Sequence, residues 1–114
     1  MKESEIISEF ERLSALMYRS GLGKDIAKHN RACKKLNRLC LQMSHEDKAL
    51  VYPKLLLSDA ERTRLNAASY CLQENMMPAE AVMELKRILE GSSNEQCSVT
   101  AGVALRAWAS QHLQ

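Results

Sequence analysis

The chain has 114 residues, of which 46% are hydrophobic and 26% charged, and its net charge is +2. That length suits one domain that buries about two-thirds of its unfolded surface, and the balance is that of a soluble globular protein. The apolar runs are short, such as Leu55-Leu56-Leu57, and none could span a membrane, and a pI near 8.4 falls short of the strongly basic footprint of nucleic-acid-binding domains.

Gly and Pro are sparse, and Leu, Ala, Lys, Glu, Arg and Met dominate. These are the better helix formers, so an all-α fold of about six helices is expected. Ile6, Phe10, Leu13 and Met17 step by four, three and four, the stripe of a first helix over about 3–20 that Gly21 and Gly23 end. A second helix follows over about 24–43. Its buried face is read as Ile26, His29, Cys33, Leu36, Cys40 and Met43.

Ser44 and Asp47 fit a capping box ahead of a third helix over about 46–57, with Leu50, Leu55 and Leu57 available for burial. Pro53 within it predicts a kink or a late start. Ser58 and Glu61 read as a second capping box, opening a fourth helix that carries Leu65, Ala68 and Leu72 to about Glu74. Pro78 suits the first turn of a fifth helix with the stripe Val82, Leu85 and Leu89, closed by Gly91. Residues 93–96 open a sixth, with Ala101, Leu105, Trp108 and His112 along one side. Short helices joined by polar turns over 46–74 and 78–112 suggest stacked helical hairpins.

Lys24, Lys28, Arg31, Lys35 and Arg38 fall within an arc of about 80° on the second helix. Six basic residues against Asp25 give 24–38 a charge of +5, and the rest of the chain carries −3. The strip has no aromatic for base stacking and no second basic element, so a protein partner is favoured over nucleic acid. As a solvated face it would be partly neutralised by Glu5, Glu9 or Glu11 of the first helix. Arg62 and Arg64, near the start of the fourth helix, are placed to line a groove between hairpins. Asn30 and Asn37 border the strip, either for a partner or for bonds to neighbouring backbone.

His29 and Cys33 lie one turn apart, a spacing that can chelate zinc, but no further ligand pair stands nearby. No metal or cofactor is expected. The cysteines Cys33, Cys40, Cys71 and Cys97 form no C-x-x-C pair, and buried free thiols are the reading. No nucleophile elbow, phosphate-binding glycine loop, H-E-x-x-H or dinucleotide fingerprint occurs, so no enzyme is expected. MKESEIISEF has acids where a signal peptide needs basic and apolar stretches, which points to the cytoplasm.

The segments KHNRACKKLNRL (28–39), YPKLLLSDAERTRLNAASYCL (52–72), PAEAVMELKRILEG (78–91) and ALRAW (104–108) resemble a small bacterial family known as domain of unknown function 2019. The resemblance covers most of the chain after Gly21 and rests on packing motifs. It implies HEAT-like stacked helical hairpins, with Ser58-Asp59 standing where such repeats often carry a His-Pro-Asp-like turn. It supplies no catalytic residue. It implies a scaffold similar to immunity proteins, which bind and neutralise a cognate toxin domain, here of the nuclease class, by occluding its active site. Because nuclease surfaces that grip phosphate are positive, contact is expected through acids outside 24–38 or at an acidic exosite on the toxin. A generic HEAT-like adaptor and a nucleic-acid-binding accessory protein are the alternatives.

Overall fold

The computed structural model describes residues 1–20 and 25–112, and among them all regular structure is helical: α1 (Glu3–Ser20), α2 (Ile26–Gln42), α3 (His45–Leu55), α4 (Glu61–Gln73), α5 (Pro78–Gly91) and α6 (Glu95–His112). Successive helices pack as hairpins, α1 on α2, α4 on α5 and α5 on α6, while α4 also meets α1 and α6 directly. The third and fourth helices, read from the sequence as a pair, meet over a short stretch, and α4 takes α5 as its main partner. The body measures 36 × 33 × 23 Å. Buried side chains of all six helices join one cluster.

The α1 stripe of Ile6, Phe10, Leu13 and Met17 is buried in full. α2 is less well covered, because α1 is the one helix it packs on extensively. Leu36, Cys40 and Met43 are buried with Ala32 and Leu39, but Ile26, expected inside, is 65% exposed on an uncovered flank. α3 buries Val51, Tyr52 and Leu55 against α1 and α4, which turns Leu50 and Leu57 outward, contrary to expectation. α5 is rotated by about one residue from the predicted stripe: Ala81, Leu85 and Ile88 face inward and Leu89 stands 41% exposed.

The ends of the helices explain several of these placements. Ser44 and Asp47 form the predicted capping box, with Asp47 N donating to Ser44 Oγ at 3.0 Å and Ser44 N to Asp47 Oδ2 at 3.3 Å. α3 therefore starts early at His45, and Pro53 falls in its last turn. The second box does not form. Ser58 Oγ accepts instead from Ala60 N at 3.2 Å, a local turn that delays the helix, and Glu61 reaches Ser92 Oγ at 2.6 Å. α4 ends in a Schellman arrangement, with Met76 N donating to Cys71 O at 2.8 Å and Asn75 in the left-handed region at φ 54°. Pro78 occupies the first turn of α5, as its missing donor favours.

Several polar groups inside the fold are paired between distant parts of the chain. Asn66 Nδ2 donates to Ser14 Oγ at 2.9 Å, tying α4 to α1. Tyr52 Oη donates to Glu74 Oε2 at 2.6 Å, and Lys48 pairs with the same carboxylate. Burial pushes the Cys40 thiol up to about 11 and the Cys71 thiol up to about 12. Burial and then the Glu74 contact raise the Tyr52 phenol as well. Each group has a folded pKa above its unfolded one, so the stability it contributes is complete below the unfolded thiol value of about 8.5 and is lost as pH rises through the folded values. Under reducing conditions, urea midpoints at pH 8 and pH 10 should differ, with a loss of up to about 2 kcal/mol per buried thiol. An unchanged midpoint would show that these groups ionise as freely in the folded chain as in the unfolded one.

Candidate functional site: a groove between α2 and α6

Asp25 caps α2, its Oδ1 accepting from Lys28 N at 3.0 Å, and this anchors the start of the basic strip. Lys28, Arg31, Lys35 and Arg38 are all exposed; Lys24 lies outside the described residues. The strip faces solvent, and its Lys35 lies near enough to Glu9 of α1 to act on it electrostatically. Glu9's carboxylate sits below its ordinary range mainly because Arg12 hydrogen-bonds it at 2.6 and 3.0 Å, and Lys35 adds a smaller pull. Asn30 and Asn37 are exposed beside it.

The two arginines of α4 are not a matched pair. Arg64 Nε donates to Glu84 Oε1 at 2.6 Å and its Nη1 to Ser58 O at 2.6 Å, while Arg87 takes the other oxygen of the buried Glu84. Arg64 is a structural cross-link between α4 and α5. Arg62, expected at a partner surface, is 6% exposed and lines a cavity between α1 and α4. His29 is half-buried, its ring Nδ1 donating to Met17 O across 3.2 Å, so it fastens α2 to α1. Among the described residues no group of three or more His, Cys, Asp or Glu is placed to hold a metal ion.

A concave feature runs between α2 and α6, with α4 as its floor and Met17 of α1 at one end. Asn66, Ser69, Tyr70 and Gln73, one face of α4, form that floor. Cys33 and Leu36 stand on the α2 side, and Thr100, Val103, Ala104 and Ala107 on the α6 side. The volume is about 350 Å³, and no charged side chain lines it. A smaller hollow of about 110 Å³ continues it along Ser69, Gln73 and Ala107 to Trp108. There the Trp108 ring stacks on His112 with centroids 4.7 Å apart, and its Nε1 has no hydrogen-bond partner.

Small residues on α6 keep the trough open. Thr100, Ala104 and Ala107 form a second stripe on a helix whose buried side is Cys97 and Ala101, and Val103 beside it is exposed. Two uncharged stripes on one helix were the signal available in the sequence. Cys33 is the half-exposed thiol of the four, with burial raising its pKa. A thiol reagent should therefore modify one cysteine per native chain and four after denaturation. Modification of Cys40, Cys71 or Cys97 at the same rate, read by peptide mapping, would contradict the packing described.

A scan against protein-family models and searches of curated proteins and of solved structures return no match for this chain.

Proposed function

We propose that this chain is a bacterial immunity protein that acts in the cytoplasm: a non-catalytic helical scaffold that binds a cognate toxin domain of the nuclease class and occludes its active site. One observation carries the reading, the preformed uncharged trough between α2 and α6, about 350 Å³ in volume and walled by Cys33, Leu36, Val103 and Ala107. Such a trough accepts a row of apolar side chains from a partner, and a rigid surface with buried anchors is what an occluding inhibitor needs. The resemblance of residues 28–39, 52–72, 78–91 and 104–108 to a family with immunity-like scaffolds points the same way. The exposed strip Lys28, Arg31, Lys35 and Arg38 would speed encounter with an acidic exosite of the toxin while contributing little to the bound state.

The tagged chain, incubated with nuclease-treated bacterial lysate and washed at moderate salt, should retain a protein at one-to-one stoichiometry. That protein, purified, should cleave nucleic acid, and one equivalent of this chain should abolish the cleavage. A stoichiometric partner with no toxic activity would replace this reading with a helical adaptor. Retention that requires nucleic acid and collapses as salt rises would replace it with phosphate binding by the strip.

A further inference from the structure

Both walls of the α2–α6 groove carry uncharged faces that continue past the residues enclosing it. With 100° between successive residues, Ile26, Asn30, Cys33, Asn37 and Leu41 fall within an arc of about 80° on α2. Cys33 of that stripe lines the groove, and Ile26 and Leu41 at its ends are 65% and 77% exposed. On α6, Thr100, Val103 and Ala107 line the groove and Gln111 lines the hollow that continues it. Val99, one turn before Val103, is exposed as well. The uncharged face of α6 from Thr100 to Gln111 is about 16 Å long, or about three helical turns.

The bonding capacity of walls and floor restricts the conformation of whatever fills the groove. α2 and α6 satisfy their interior main-chain groups within each helix, so neither presents an edge for strand pairing. On the floor, Asn66 Nδ2 already donates to Ser14 Oγ at 2.9 Å, and Ser69 Oγ donates to Leu65 O at 2.9 Å. An extended segment would set bare amides and carbonyls against these walls, and each group left unpaired costs binding energy. A helix brings its main-chain bonds with it and presents a stripe of side chains three and four residues apart. The small side chains of Ala104 and Ala107 leave room for bulkier apolar ones on that stripe.

The charges beside the groove are almost all of one sign. α2 holds no carboxylate, and α6 holds Glu95 alone, at its start. Lys34 and Arg38, next to the uncharged stripe of α2, are exposed, and none of the ion pairs among the described residues includes them. Lys28, Arg31 and Lys35 follow further round the same helix. On the premise that the groove is the interface, we propose that it receives an amphipathic α-helix of the partner, with an apolar stripe seated between α2 and α6 and an acidic flank against Lys34 and Arg38. That flank is the acidic exosite toward which the basic strip steers. Exposed pairs of this kind orient the helix more than they hold it.

The test is a titration of isotopically labelled protein with capped peptides of about 18 residues, or about five helical turns. The first carries leucines at every third or fourth position and glutamates along one flank. The second has lysines in place of the glutamates, and the third is the first with two central prolines. The acidic helix should give saturable amide shifts at Cys33, Thr100, Val103 and Ala107. The lysine peptide should bind several-fold more weakly at low salt, with the gap closing as salt rises. The proline peptide should not saturate. Lys34→Glu combined with Arg38→Glu, both at exposed positions, should leave Tm unchanged and make the lysine peptide the tighter ligand. Absence of saturation by the acidic helix overturns the proposal, and so does equal binding of the two charges at low salt. Equal binding by the proline peptide gives the groove to an extended segment, and self-association that Ala107→Trp abolishes gives it to a second copy; either result also overturns it. In any of these cases, shifts at the same amides on adding the captured partner leave the groove as the interface, and their absence withdraws both readings.

Discussion

Phe10→Ala should remove about 3–5 kcal/mol of stability, the range for truncating a fully buried aromatic side chain. Phe10 has no exposed surface and sits at the centre of the α1 stripe. Its ring meets Tyr70 of α4 edge-to-face, with centroids 6.3 Å apart and planes at 72°, so the same atoms hold α1 to the later helices. Domains of this size are stable by roughly 5–15 kcal/mol, and the loss would consume much of that margin. The shift should appear in the urea midpoint with the slope unchanged. Phe10→Leu, which keeps most of the volume, should cost clearly less. A loss below about 1 kcal/mol for the alanine variant would mean that α1 is not part of the cooperative core.

Ala107→Trp should weaken partner binding by about two orders of magnitude, the loss expected when the centre of an interface is obstructed. Ala107 lines both the groove and the hollow that extends it, and it is exposed, so a large ring there occupies the trough without disturbing the core. The helix tolerates the change at small cost in propensity. Stability should therefore remain near that of the unmodified chain while affinity collapses. That separation distinguishes an obstructed site from a damaged fold.

The helices were legible because their apolar residues recur at helical spacing, and α1 shows this most cleanly in Ile6, Phe10, Leu13 and Met17. Coverage was not. Ile26 carries the same periodic signal as Leu36, yet only a neighbouring helix decides whether a position is shielded, and none reaches that flank. Ser58 and Glu61 have capping-box spacing, but Ser58 closes a turn onto Ala60 and Glu61 finds Ser92 from a distant loop. The strip was visible as charge, whereas the weak electrostatic pull of Lys35 on Glu9 of α1 appears only once the two helices are placed together. Arg62 reads as an ordinary arginine of a helix's first turn, and α1 is what encloses the space around it. The groove is a property of four helices at once, since Met17 of α1 lines it too. Its residues Thr100, Ala104 and Ala107 look unremarkable until α2 and α4 are placed beside them.

The most direct measurement of whether the groove or the strip is the interface is a calorimetric titration of the captured partner into three forms of the chain. These are the unmodified protein, Ala107→Trp, and a variant with Lys28→Glu, Arg31→Glu and Lys35→Glu together. Occupation of the groove predicts that Ala107→Trp loses about a hundredfold in affinity, or about 2.8 kcal/mol. The charge-reversed form should stay within a few-fold of the unmodified chain and lose the salt dependence of its association rate. Undiminished binding by Ala107→Trp, with abolished binding after charge reversal, would place the interface on the basic face of α2 and contradict the groove.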